Sequence, residues 1–277
     1  MLAPGGEIDS EPELAAMALR SLAMYPEFVR DLEEDSGLPI EFRQCGAIEI
    51  GVEDDKARRQ AALGIPSEPC QHAHQAARWY PGDAVVDPLS INEALLAACR
   101  NRGVEIHEHE PVTEICADGV RTQKGHYASD RVLIAAGAWS SALCAGLPRS
   151  YPVRGHLLAW EMEPGLVPAI LRKGPTYLFQ RESGTVIAGS SMEDAGFDRT
   201  IDKAVIEDLH KRAASLLPEL AGVKPSNEWN GLRPAADSGP VVGRHKDTNI
   251  WTAYGHFRNG ILLMPDTAQR IAADFSL

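Results

Sequence analysis

The sequence is most constrained near its end, where glycine and arginine recur within short spans. Gly231-Leu232-Arg233-Pro234 is followed by Asp237-Ser238-Gly239-Pro240-Val241-Val242-Gly243, then by Gly255-His256-Phe257-Arg258-Asn259-Gly260-Ile261-Leu262-Leu263. Glycine lets backbone approach a ligand closely, and arginine offers a rigid fork for a carboxylate. Arg258-Asn259-Gly260 opening into Ile261-Leu262-Leu263 reads as a turn feeding a helix. The N–H groups at such a helix start would face an anion or an electron-rich ring edge.

Upstream, Ser10-Glu11-Pro12-Glu13 has the form of a capping box with proline just inside the helix. The spacing of Leu14, Met17, Ala18 and Leu22 predicts a helix that meets Pro26. A second helix runs through Phe28, Val29 and Leu32 to a C-cap at Gly37. Phe42–Gly51 reads as a strand, 53–63 as a charged helix, 67–77 as a loop and Val85-Val86 as a short strand. Asp87-Pro88 starts a helix that Gly103 ends. Short strands are expected at 104–107, 112–116 and 120–122. The apolar run 131–136 is expected to be a buried strand that ends in a small-residue turn. Several strands lie between 154 and 192, a helix over 202–217, strands over 227–255 and a closing helix over 259–274.

Composition narrows the function classes. The chain has 27 basic and 39 acidic residues and a net charge of −12, which disfavours nucleic acid and anionic membranes as partners. No apolar run approaches the ~20 residues that span a bilayer, and no signal-peptide pattern opens the chain. Five scattered cysteines without a C-x-x-C read as thiols of a cytoplasmic protein. His72-x-His74 in a loop and His107-x-His109 on a strand lack a third ligand, so no metal is expected. No nucleophile elbow and no phosphate-binding lysine motif occurs.

The C-terminal motifs, the Asp130–Ala272 stretch that contains them and the opening Met1-Leu2-Ala3-Pro4 together resemble the glycine oxidase group of FAD-dependent amino-acid oxidases. These are relatives of D-amino-acid oxidase and sarcosine oxidase, and the resemblance spans nearly the whole chain. It implies an α/β (α+β mix) fold: an FAD-binding Rossmann-like domain with an interleaved antiparallel-sheet substrate domain. FAD-domain pieces are expected at approximately 1–36, 87–148 and 234–277, and substrate-domain pieces at approximately 37–86 and 149–233. Family members open with a strand, a G-x-G-x-x-G turn and a helix that hold the FAD pyrophosphate. No G-x-G-x-x-G occurs in this sequence, so the Rossmann-like part is expected to be incomplete and FAD binding weakened.

The resemblance also assigns residues. Arg233 matches the carboxylate-binding arginine, Arg258 the second arginine near flavin and substrate, Tyr177 the carboxylate-binding tyrosine and Met192 a pocket-lining methionine. Met1, Val112, His256, Phe257, Arg258, Asn259, Gly260, Ile261 and Leu262 match cofactor-contacting positions. A lone arginine is more often a surface residue, and a strand tyrosine or methionine more often core. No general base is expected, because the flavin takes a hydride and the protein supplies position. The implied reaction oxidises glycine or a small amine with oxygen to an imine and hydrogen peroxide, which in the family feeds thiazole formation for thiamine. A sarcosine- or D-proline-type oxidase, or a remnant that holds no FAD, are the alternatives. A homo-oligomer is left open.

Overall fold

Strands drawn from two distant stretches of sequence build one eight-stranded sheet in this computed structural model, which describes residues 1–246 and 248–275. Its order is Asn227–Ala236, Ser150–Glu161, Thr185–Gly189, Thr176–Gln180, Ile170–Lys173, Ala47–Ile50, Gln75–Tyr80 and Glu68–His72. Neighbours are antiparallel except Ile170–Lys173 against Ala47–Ile50, which run parallel. The register aligns one row across the sheet: Trp229, Leu157, Gly189, Tyr177, Arg172, Glu49, Arg78 and Pro69. Because side chains alternate along a strand, this row shares one face.

The opposite face is closed by the helix Lys203–Leu216, whose Ile206, Leu209, Ala213 and Leu216 are buried at helical spacing. Asp202 caps it by accepting from the Ala204 and Val205 amides at 2.9 and 3.3 Å. Leu158, Trp160, Leu178, Val186 and Ala188 pack beneath it. The row-bearing face looks instead toward a larger core built around the helix Pro12–Ser36, in which Ala159, Phe179 and Ile187 are buried.

A three-stranded sheet adds the mixed character. Ile250–Tyr254 pairs antiparallel with Val241–Arg244 and parallel with Val132–Ile134. The helix Gly260–Phe275 follows and packs on Pro12–Ser36, where Arg20 Nε donates to buried Asp266 at 2.9 Å and the Tyr25 hydroxyl donates to the Ile261 carbonyl. A separate antiparallel sheet holds Val112–Cys116, Gly119–Thr122 and His126–Ala128. No helix among the described residues is long and apolar enough to cross a membrane.

Four local expectations are corrected. The two helices expected around Pro26 are one, Pro12–Ser36. Burial of Tyr25, Val29 and Leu32 on a common stripe outweighs the hydrogen bond that proline forfeits. The capping box does not form: Glu11 is the N-cap and no side chain caps the amides. The loop expected over 67–77 is the hairpin Glu68–His72 and Gln75–Tyr80, turned through Ala73 and His74 at φ +47° and +61°. The strand expected at 104–107 is absent, so His107 and His109 sit in a loop, with His107 facing the Glu110 carboxylate at 3.7 Å.

Candidate active site

Four charged or phenolic side chains meet above the aligned row. Tyr177 lies opposite Gly189 in register, so its ring has only a hydrogen beneath it. A Cβ on Gly189 would stand 2.5 Å from the phenol oxygen. Arg233 makes a similar approach to Gly155, where a Cβ would come within 2.1 Å of Nη1. Two glycines on adjacent strands thus make the floor on which the tyrosine and the arginine lie.

Arg233 is held by uncharged acceptors. Its Nη1 donates to the Ser191 carbonyl at 3.1 Å and its Nη2 to the Ser190 hydroxyl at 2.7 Å. The Ser190 side chain is also hydrogen-bonded to Tyr177. Among the described residues no carboxylate pairs with Arg233. Burial pulls its pKa down, and the cation of Arg258 adds to that pull. Burial likewise pushes the Tyr177 phenol up, so it stays protonated as a donor. A half-buried guanidinium with no carboxylate in ion-pair contact can receive an anion.

Arg258 differs. It sits in the 3-10 turn Phe257–Asn259 and is gripped at both ends of its fork by Glu7, Nε to Oε2 at 2.8 Å and Nη2 to Oε1 at 2.9 Å. Glu7 closes the four-residue helix Pro4–Glu7, and its carboxyl is pushed up by burial, against the pull of Arg258. Sequence reasoning missed Glu7. The one local signal was an acidic residue three positions after Pro4, in the segment already matched to the family. It was separated by 251 positions from the arginine it neutralises.

The Ser190–Ser191 segment is itself anchored by a buried polar cluster that sequence reasoning also missed. Glu193 accepts from Arg154 Nε at 3.0 Å and Nη2 at 2.7 Å, and lies 2.8 Å from His156 Nδ1. His156 is fully buried, and its Nε2 accepts from the Asp202 amide at 3.2 Å. That acceptor role leaves the ring proton on Nδ1, pointed at Glu193. Met192, between these anchors, is 61% exposed.

The residues expected to hold the cofactor fall in two places. His256, Phe257, Asn259, Gly260, Ile261 and Leu262 form one continuous turn into the helix Gly260–Phe275. Met1 packs against the same core as Ile261 and Leu262. Val112 stands apart, opposite Thr122 in the separate antiparallel sheet. His256 and Ile261 border an apolar cleft of about 630 Å³ with Leu133, Ala253 and Met264. Burial lowers the His256 pKa to about 4, so its ring is neutral, and Nε2 lies 3.0 Å from the Thr267 hydroxyl. Buried Asn259 Oδ1 has no hydrogen-bond partner. An apolar wall, a neutral imidazole and an orphaned acceptor fit a heteroaromatic ring with a polar edge, as a flavin has.

Elsewhere, Arg172 and Asp83 form a buried pair at 2.5 Å, with Glu49 3.3 Å from the same guanidinium. This pair borders the site through Gly6, where a Cβ would meet the Arg172 side chain at 2.7 Å.

Comparisons with known proteins point to one family. The family model described as FAD dependent oxidoreductase (DAO) matches residues 1–274. Glycine oxidase of Pseudomonas aeruginosa is 30% identical over 286 residues, 94% of this chain and 79% of the relative. The bifunctional protein ThiO/ThiG of Trichormus variabilis is 31% identical over 299 residues, 98% of this chain and 45% of the relative. Among solved structures, glycine oxidase from Geobacillus kaustophilus is similar with a TM-score of 0.91 at 26% identity, covering 99% of this chain and 82% of that one.

Proposed function

The chain belongs to the DAO family of FAD-dependent oxidoreductases, and from that premise we propose that it oxidises glycine or another small amino acid at the Arg233–Tyr177 site. The observation that carries this reading is the unpaired Arg233 guanidinium, fixed by a carbonyl and a hydroxyl and facing a protonated phenol. Its fork would take the substrate carboxylate bidentately, and the Tyr177 hydroxyl would donate a further bond to it. With the carboxylate so anchored, the substrate Cα is confined to one place, and the orientation supplies much of the catalysis. Bound FAD supplies hydride acceptance from that carbon and reoxidation by oxygen, giving imine and hydrogen peroxide. His256, Asn259, Gly260 and Ile261 would hold the ring end of the cofactor.

On this reading the eight-stranded sheet, with residues approximately 37–86 and 149–233, is the substrate domain. Met192, exposed at its margin, would line the mouth of the pocket. The imine would feed thiazole formation, as the resemblance implies. The test is absorbance after reconstitution with FAD, followed by oxygen uptake with glycine, sarcosine and D-proline. Bound flavin and turnover of glycine above the other two support the reading. A flavin-loaded protein inert toward all three overturns it.

A further inference from the structure

The site holds two arginines but offers only one of them to a ligand. Glu7 occupies both prongs of the Arg258 fork at 2.8 and 2.9 Å, whereas Arg233 pairs with no carboxylate among the described residues. The bridge between Ala235 and His256 sets the strand that carries Arg233 beside the turn that carries Arg258, and both cations and Glu7 act electrostatically on Tyr177, so they share one small space. Glu193 also acts on Arg233 but is already paired with Arg154 at 2.7 Å, so the two guanidinium groups and the Glu7 carboxylate leave a single positive charge. One substrate carboxylate brings that count to zero. A second would stand uncompensated in a partly desolvated pocket, where it could gain a partner only by displacing Glu7 from Arg258.

We propose that Glu7 is a specificity-determining residue that restricts this site to monocarboxylates by neutralising Arg258 from within the protein. The proposal rests on the reading of Arg233 as the carboxylate clamp, and it narrows the substrate class to neutral amino acids and excludes amino or imino diacids. The exclusion is electrostatic as well as steric, because Glu7 is both the occupant of the Arg258 fork and a like charge facing any second carboxylate. Its place is secured from outside the pocket. Gly5 donates its amide to Asp83 at 3.4 Å and gives its carbonyl to Gln60 at 2.7 Å, which pins the short helix carrying Glu7.

The test is calorimetric titration of the purified full chain with acetate and with malonate at pH 7.5, in the wild type and in Glu7→Gln. The quantity read is the ratio of malonate to acetate affinity. The wild type is expected to favour acetate by 10-fold or more, and Glu7→Gln to raise the ratio at least 10-fold. Adding Arg258→Gln to Glu7→Gln should cancel that gain, since the freed cation is its source. A wild type that binds malonate as tightly as acetate overturns the proposal, as does a ratio unmoved by Glu7→Gln. Should Glu7→Gln fail to fold, Glu7→Met removes the same charge and carries the same expectation. Acetate binding that survives Arg233→Lys unchanged would instead sink the clamp reading, so the two failures are told apart.

Discussion

Replacing Gly155 with alanine should disable the site while leaving the fold intact. A Cβ at this position would stand 2.1, 2.3 and 2.4 Å from Nη1, Nη2 and Cζ of Arg233. Ordinary carbon contacts need ~3.5 Å, so the guanidinium must retreat by about 1.4 Å. Its bonds of 2.7 and 3.1 Å to Ser190 and Ser191 would then fall outside hydrogen-bonding range. A misplacement of about 1 Å costs on the order of 10²-fold in rate, and a charge-assisted bond is worth about 1.5–3 kcal/mol, or roughly 10–150-fold. The two estimates agree, and kcat/KM for glycine should fall about 30–100-fold. Gly155 does not occupy the left-handed region, so alanine imposes no backbone strain and lowers unfolded-state entropy by up to about 1 kcal/mol. The flexible end of Arg233 absorbs the clash, and Tm should move by no more than about 3 °C. The assay is glycine-dependent peroxide formation by FAD-loaded protein, paired with a thermal melt. Unchanged kcat/KM at unchanged Tm would refute the argument that this glycine seats the clamp.

Other outcomes follow from the same geometry. Arg233→Lys should raise KM for glycine by about 30-fold or more, a loss of about 2–4 kcal/mol, because an ammonium cannot reproduce a bidentate fork; flavin absorbance should persist, and an unmoved KM would exclude the clamp. The His256 pKa falls from 6.5 to about 4 in the folded protein. The unfolded chain therefore takes up that proton first as pH drops, and stability present above pH 6.5 is lost on the way to pH 4. The full linkage is about 3 kcal/mol, reduced to about 1–2 by partial exposure. Melts from pH 7 to 4 should fall less steeply in His256→Asn, and parallel curves would contradict the assignment. Asp83→Ala should cost about 3 kcal/mol by stranding buried Arg172, lowering Tm by roughly 6 °C or more; a Tm within 2 °C of wild type would show that Glu49 alone suffices.

Elements with local punctuation were legible in the sequence, and those held by distant partners were not. Gly37 stops its helix in the left-handed conformation, and Asp87 caps the helix Pro88–Asn101 through the Leu89 amide at 3.1 Å, both as the residues predict. The hairpin over 68–80 carried no such mark. Its outer strand is an edge, exposed along most of its length, so no hydrophobic alternation betrays it, and its turn uses Ala73 and His74 instead of glycine or asparagine. Val104 and Ile106 err the other way, as β-branched residues 53% and 38% exposed with no strand to pair. Of the side chains the structure brings together, Arg233, Tyr177 and Arg258 could be named from the sequence because they lie in motifs. Glu7 and the Arg154–Glu193–His156 cluster were not, because an ion pair leaves no trace in the sequence around either partner.

The two halves of the site are fixed by unlike means. Arg233 and Tyr177 are seated by hydrogen-bond register across a sheet, which tolerates little local change without moving neighbouring strands. Glu7 hangs from a helix of four residues, Pro4–Glu7, whose alteration disturbs no strand pairing beyond the bridge of Leu2 to Ala84. Mutation can therefore explore what the site accepts separately from how it grips. On the proposed reading a lineage that keeps the sheet can alter its diet at Glu7 itself, since Gly5 and Gly6 of the same helix lie against Tyr80 and Arg172 with no room for a side chain, and a designer can do the same.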